Sequence, residues 1–345
     1  MSGRPTLALV PPDGASPSIP PETVVLGLPL ARRTVLAAAR AGFSRVVVVA
    51  APPALAAALE GTGAELVAEA PPEASRLAWN VVAPLPELRA LAADAAAPAS
   101  IGVAVTAPSD LPRAEKRLLR SLIKDSEGFM SKHFDRSISL AVSRRLAGTR
   151  VTPNQMTLVA VAIGLVGAPF FLSPRPEVQI VGGILFLLHS ILDGCDGELA
   201  RLKFQESRYG GILDFWGDNL VHMAVFAAMG LGLARRLDQG WPLVCGFAAV
   251  VATAASAWFI HQRTMSEPKK GPLFTSVAVH RETTVSRIAD ALSRRDFIYL
   301  VLILSAFGWA DCFVVAAAFA VPAFFLALLV VAWNDRRATR LRSVS

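Results

Sequence analysis

The feature that most restricts this chain is a series of long apolar runs that begins after residue 150 and continues almost to the C-terminus. The runs lie near 155–173, 178–192, 211–234, 241–261, 297–312 and 313–333, and short charged segments separate most of them. A helix needs about 20 apolar residues to cross the hydrocarbon core of a bilayer, so the pattern reads as six spans. The run at 178–192 is short and needs its polar end to complete the turn count. Arg and Lys are dense before residue 150, in 201–208, in 263–295 and in 336–342. With six spans all four segments fall on one side, which the positive-inside rule makes cytoplasmic. The expectation is a multi-pass protein of the cell's inner (plasma) membrane with both termini cytoplasmic. Arg235 and Arg236 fall on the other side and are the exception.

Composition supports this reading. Hydrophobic residues make up 53% of the 345, and mean hydropathy is +0.48; soluble domains usually hold about 45–50% apolar residues even with Gly counted. A formal net charge of +7 would suggest nucleic acid in a soluble protein. Here the basic residues flank apolar runs, so a membrane surface and phosphorylated substrates are the simpler partners, and no nucleic acid is expected. Cys195, Cys245 and Cys312 are scattered, which indicates neither a disulfide framework nor a zinc site. The N-terminus lacks a basic stretch followed by an apolar one, so no signal peptide is read there.

Residues 1–110 are rich in Ala and Pro but not membrane-like. The β-branched run at 46–50 lies between Gly42 and Pro52-Pro53 and reads as a buried strand. Residues 32–40 read as a helix closed by Gly42. Helices and short strands alternate through 55–59, 66–68, 87–93 and 101–105, with Pro84 and Pro86 suited to a helix start. This predicts a small cytosolic α/β domain; an Ala/Pro-rich linker is the plainer alternative. Over 111–150, apolar residues at helical spacing alternate with a basic face, as in amphipathic helices on an anionic membrane surface. An ordinary connector helix is the alternative for the first half. Residues 151–340 then form the membrane domain.

The chemistry is concentrated in Asp193, Asp196, Gly197, Ala200, Arg201, Gly210, Asp214 and Asp218. Asp193 and Asp196 are spaced i, i+3 at the end of one span, and Asp214 and Asp218 are spaced i, i+4 at the start of the next, so each pair shares a helix face. A short loop between antiparallel helices would aim four carboxylates at one point. Such a group is costly at a membrane boundary unless something pairs with it. Arg201, Lys203 and Arg208 offset only part of the charge, and hard divalent cations with oxygen ligands are the natural complement. Gly197, Gly210 and Ala200 permit close approach of a helix or nucleotide, and Arg201 can meet a phosphate with a forked pair of donors. A proton or cation pathway is the alternative use of such carboxylates.

These residues match all eight fixed positions of the signature D-x2-D-G-x2-A-R-x8-G-x3-D-x3-D. The chain therefore resembles the CDP-alcohol phosphotransferases over residues 115–340. The resemblance implies a mainly α, six-transmembrane-helix fold and transfer of a phosphoalcohol from a CDP-linked donor to a hydroxyl acceptor, with CMP leaving. It implies Asp193, Asp196 and Asp214 as ligands of Mg2+ or Mn2+, two ions in all. Asp218 would be the general base, also touching a metal. Gly197, Ala200, Arg201, Gly210, Pro153 and Thr157 would line the CDP site. It also implies a homodimer.

Residues 127–136, 152–154 and 293–297 resemble family members akin to di-myo-inositol-phosphate-phosphate synthases. This implies an inositol phosphate among the acceptors and a phosphate-binding role for Arg294 or Arg295; positive-inside anchoring is the alternative for that pair. In that subgroup a sugar-phosphate cytidylyltransferase domain comes first, and residues 27–49 resemble an internal piece of it. Nothing in residues 1–26 supplies the Gly-rich loop with Arg and Lys that a triphosphate needs; Pro11-Pro12-Asp13-Gly14 is a turn. Residues 1–110 therefore read as a degenerate, inactive nucleotidyltransferase-like domain, with an active one as the alternative. The products left open are a phospholipid and a soluble inositol phosphodiester.

Overall fold

The computed structural model describes residues 5–12, 19–20, 22–93, 101–123, 134–265 and 297–342. The chain divides into two units: Met1–Asp125, Leu140–Arg150 and Arg201–Gln205 form one, and Ser126–Ser139, Val151–Ala200 and Glu206–Ser345 form the other.

The first unit is built on four parallel strands: β1 (Thr6–Val10), β4 (Arg45–Val49), β5 (Glu65–Val67) and β6 (Ser75–Ala78), in the order β5-β4-β1-β6. Leu7 pairs with Val46 on one side and Ser75 on the other. The inner strands are buried on both faces, as parallel strands are: Leu7 and Leu9 point into one core with Val46 and Val48, while Ala8 and Val47 are buried opposite. Helix α1 (Leu30–Ala41) adds Ala31, Val35 and Ala38 to that core. It stops at Gly42, whose φ of +107° lets its N–H return to the Ala38 carbonyl. Helix α2 (Pro53–Ala58) adds Leu55, and α3 (Leu85–Ala93) adds Leu88 and Leu91. Two small antiparallel pairs are also described, β2 (Val24–Val25) with β3 (Leu28–Pro29), and β7 (Val81–Val82) with β8 (Val103–Ala104).

Helix α4 (Leu111–Arg120) starts where the Asp110 carboxylate accepts the N–H groups of Thr106 and Ala107, at 2.9 and 3.0 Å, and the Thr106 hydroxyl at 2.9 Å. It buries Ala114 and Leu118 against Leu30, Val103 and Val105 of the same unit, with Arg113, Lys116, Arg117 and Arg120 outward. Helix α5 (Arg136–Ala147) follows.

The second unit is helical: α6 (Pro153–Gly167), α7 (Pro176–Lys203), α8 (Arg208–Leu237), α9 (Trp241–Thr264), α10 (Phe297–Ala306) and α11 (Phe313–Arg342). Five described segments are long and apolar enough to span a membrane: Pro153–Leu172, Pro176–Lys203, Arg208–Leu237, Trp241–Thr264 and Ala310–Asn334. In the fifth expected run the described residues form a helix at Phe297–Ala306. It ends before Gly308, whose φ is +70° and where a Cβ would stand 3.1 Å from the Pro174 carbonyl oxygen. A 3-10 turn, Ala310–Cys312, then redirects the chain into α11. Conversely, the run expected to be short belongs to a helix of 28 residues. At about 1.5 Å per residue, that is roughly 42 Å, longer than the ~30 Å hydrocarbon core, so its polar end extends past an apolar slab.

Phe171, Phe186, Val221, Val225, Met229, Leu233, Ile298, Val301 and Val314 form the core of this unit. At the α8–α9 crossing, a Cβ on Gly230 would lie 2.9 Å from the Gly246 Cα, so small residues permit backbone contact there. Arg236, the exception to the charge rule, is explained by its partners. Its Nη2 is 3.0 Å from Asp311 Oδ1, and its Nη1 donates to the Gly308 carbonyl at 2.9 Å. Gln179 adds a tie between α7 and the same turn, accepting from the Ala310 N–H at 2.9 Å and donating to the Ser173 carbonyl at 2.9 Å.

Candidate metal and active site

Asp193 and Asp196 lie on α7, in its last three turns, and Asp214 and Asp218 lie in the first three turns of α8. The short connection, with Phe204 in a left-handed conformation at φ +56°, turns the chain from one helix to the next. One oxygen from each of Asp193, Asp196 and Asp214 lies within 4.8 Å of the others. Asp193 and Asp196 are 4% and 6% exposed, and Asp214 is half-buried. Three hard anionic oxygens converging in a partly buried site form the donor set that Mg2+ or Mn2+ prefers.

Asp196 has a partner on a third helix. The hydroxyl of Thr157, itself buried, donates to Asp196 Oδ2. Thr157 is placed by the first turn of α6, a reciprocal cap in which the Gln155 N–H reaches Thr152 Oγ1 at 3.3 Å and the Thr152 N–H reaches Gln155 Oε1 at 2.9 Å. Pro153 occupies the first helical position, where its missing N–H costs nothing. The sequence reading set Thr157 among the nucleotide-lining residues; in the structure its hydroxyl is used on a carboxylate. Gly210 opens α8 with its N–H on Ser207 Oγ at 3.0 Å, and a Cβ there would lie 2.9 Å from Asn154 Oδ1. Gly197 and Ala200 continue α7, and Arg201 follows at its last turn. Arg294 and Arg295 lie outside the described residues.

Two histidines flank Asp218. His189 Nε2 is 3.5 Å from Asp218 Oδ1, and His222 Nδ1 is 3.7 Å from Oδ2. His189 Nδ1 is 2.9 Å from the Ala160 carbonyl, which can only accept, so this nitrogen carries a proton. Phe186 stacks on the His189 ring, with centroids 6.3 Å apart, and meets the His222 ring edge-on at 5.6 Å. Neither histidine was singled out from sequence. The available signal was spacing: His189 stands four before Asp193, and His222 four after Asp218, so each continues a carboxylate face.

A fifth carboxylate lies on the opposite face of α7. Glu198 is fully buried, and its Oε1 accepts from Arg136 Nη1 at 2.6 Å and from Ser139 Oγ at 2.7 Å. Gly194 leaves room for this arginine, since a Cβ would stand 3.0 Å from Arg136 Nη1. Glu198 is thereby committed away from the aspartates.

Residues 150–281 match the CDP-alcohol phosphatidyltransferase family. The chain is 40% identical over 126 residues to the "Bifunctional IPC transferase and DIPP synthase" of Thermococcus kodakarensis, covering 36% of this chain and 28% of that protein. It is 26% identical over 236 residues to the protein of the same name from Aquifex aeolicus, covering 67% of this chain and 50% of the relative. The chain thus spans half or less of the length of these relatives. Among solved structures it is similar to the phosphatidylinositol phosphate synthase of Mycobacterium tuberculosis with CDP-DAG bound, with a TM-score of 0.43 and 17% identity over 57% of this chain and 94% of that one. The motif, its placement on paired helices and the family match agree: this chain carries a domain of the CDP-alcohol phosphatidyltransferase family.

Proposed function

We propose that the protein transfers a phosphoalcohol group from a CDP-linked donor to a hydroxyl acceptor and releases CMP. The observation that carries this reading is the convergence of Asp193, Asp196 and Asp214 within 4.8 Å, at the spacing of the family motif. These residues would hold two divalent cations, Mg2+ or Mn2+, and Asp218 would also touch a metal. Bound there, the cations would supply positive charge to the pyrophosphate and the leaving phosphate.

The protein's own groups do the rest. Gly197, Ala200 and Gly210, with Pro153 at the start of α6, leave backbone surface open for the cytidine nucleotide. Arg201 meets its phosphates. Thr157 orients Asp196 and so acts on the donor site at one remove. Asp218 takes the proton from the acceptor hydroxyl. The hydroxyl oxygen forms a bond to the phosphorus next to the alcohol, the bond from that phosphorus to the CMP oxygen breaks, and CMP leaves. His189 and His222 hold the half-buried Asp218 carboxylate between two imidazoles.

For substrates, the names borne by the relatives and the inositol-type segments support an acceptor that carries inositol phosphate, with Arg294 or Arg295 on its phosphate. The donor is CDP-diacylglycerol or a CDP-inositol, and the product accordingly a phospholipid or an inositol phosphodiester. The N-terminal domain is read as a degenerate nucleotidyltransferase-like domain. Its sheet order suits that reading, and the sequence of residues 1–26 offers no Gly-rich loop with Arg and Lys for a triphosphate. We place the protein in the inner membrane with both termini cytoplasmic, as a homodimer.

The test is CMP release by purified protein with Mg2+ or Mn2+, each donor, and inositol phosphate as acceptor. Release with one donor and not the other identifies the alcohol. Asp218→Asn is expected to abolish turnover while Mn2+ binding persists. No release with any donor, together with ion flux in vesicles, would overturn the enzyme reading in favour of a transporter.

A further inference from the structure

The segment from Gly27 to Thr34 has no part in the reaction described above, yet it makes unusual contacts within the first unit. Arg33 on α1 is 3% exposed. Its Nε and Nη2 donate to the Val25 carbonyl at 3.2 and 2.9 Å, its Nη2 to Leu26 at 2.8 Å, and its Nη1 to the Leu202 carbonyl at 2.9 Å. Burial pulls its pKa down to about 10, which leaves it charged at neutral pH. Arg40 stands seven residues later on the same helical face and donates from Nη2 to the Phe204 carbonyl at 2.8 Å. Both guanidinium groups lie over the Phe204 ring, with Cζ 5.7 and 4.9 Å from its centroid.

Leu202 and Phe204 are the end of the motif helix. The last carbonyls of a helix have no intrahelical donor and sit at the negative end of its dipole, so cations placed there are favourable. Phe204, not a glycine, holds the left-handed conformation that ends the helix, a geometry that costs about 1 kcal/mol or more without support. Leu202 is buried with Val25, Leu26 and Leu30, and Phe204 packs on the core that holds Val35 and Ala38. Lys203 Nζ donates to the Thr149 carbonyl at 2.8 Å. Gly27, at φ +85°, abuts the end of α5: a Cβ there would lie 2.1 Å from the Ala147 oxygen.

We propose that the N-terminal α/β domain is a brace for the C-terminal end of the motif helix. Arg33 and Arg40 are its positioning residues. They hold the backbone at 202 and 204 and thereby set the direction of Arg201 toward the donor's phosphates. The last step rests on the donor-site reading of Arg201 given above; the brace itself does not.

The test uses the full chain in lipid nanodiscs, with amide hydrogen exchange over residues 201–205 and CMP release at varied CDP-donor concentration. Arg40 is half-exposed, so Arg40→Met is expected to fold. Exchange of these amides should rise about tenfold, as loss of a charged hydrogen bond predicts. KM for the donor should rise by about the same factor with kcat within about twofold. Mn2+ binding should be unchanged, and Arg40→Lys should recover most of the KM. Arg45→Ala, which removes an exposed pair with Glu65 in the same domain, should alter neither readout. Wild-type exchange and wild-type KM in Arg40→Met would overturn the proposal, as would an equal effect of Arg45→Ala. If the wild-type protein releases no CMP, the donor-site reading has failed; the exchange measurement still decides the brace.

Discussion

The membrane unit carries buried carboxylates at both ends of α8, and it treats them in opposite ways. At the far end, Asp311 meets Arg236 at 3.0 Å, and that arginine also satisfies a backbone carbonyl. At the motif end, Asp193, Asp196 and Asp214 converge on one another within 4.8 Å. Asp214 and Arg236 are 22 residues apart on one helix, about 33 Å. A carboxylate that holds helices together is given a cation by the chain. Carboxylate oxygens that converge on one another repel, and a divalent cation bound as a ligand would offset that repulsion. Glu198 sharpens the lesson, because it lies on the motif helix itself and is still matched by Arg136.

The contrast is open to attack at each carboxylate. Asp214→Asn should lower CMP release by about 10³-fold or more, as loss of several kcal/mol of transition-state stabilisation predicts. Mn2+ should then no longer raise the unfolding midpoint, whereas in the wild type it should do so by ligand linkage. Arg236→Met should instead destabilise the unit by about 3–5 kcal/mol, because it leaves a buried charge uncompensated. It should leave donor KM unchanged in the folded fraction, and Arg236→Met with Asp311→Asn should recover much of the loss in thermal unfolding. A large KM effect of Arg236→Met would erase the distinction between the two ends.

Thr157→Val removes the hydroxyl that orients Asp196 and should weaken Mn2+ affinity by about 10- to 100-fold, measured by titration. Unchanged affinity would return Thr157 to the nucleotide. The smallest effect is expected at Asp110, a carboxylate held in water by backbone donors. The N–H of Thr106, followed by that of Ala107, holds its pKa below the ordinary carboxylate range. A depressed folded-state pKa contributes stability that is present above the normal carboxylate range and lost as pH falls through the lowered value. Asp110→Asn should therefore remove part of the acid dependence of unfolding of the N-terminal unit below about pH 4.

The aspartates were legible because spacing alone puts 193 with 196 and 214 with 218 on helix faces, and α1 because Gly42 marks its end. Strand β1 escaped notice: Thr6–Val10 is short, carries Leu and Ala, and is identified only by the strands on both sides of it. Strand β6, Ser75–Ala78, has a polar face and the same dependence on β1. The 297–312 run was legible as apolar, but hydropathy does not register Gly308, where a left-handed residue precedes the turn into α11. Arg236 looked misplaced because its partner lies 75 residues away in sequence. Glu198 occupies a variable position of the motif, and no local pattern reveals that Arg136 reaches it.

That last pairing changes what the motif permits. In the signature, the position after Gly197 is free to vary. In this chain Glu198 is paired with Arg136 and also accepts from Ser139, and removing Arg136 takes the paired cation from a fully buried carboxylate. A mutational scan should find each position intolerant by itself, while a well-packed apolar pair at both should be accepted. The freedom of a motif position is thus set by the helix on its other side, and a library that varies 198 must vary 136 with it.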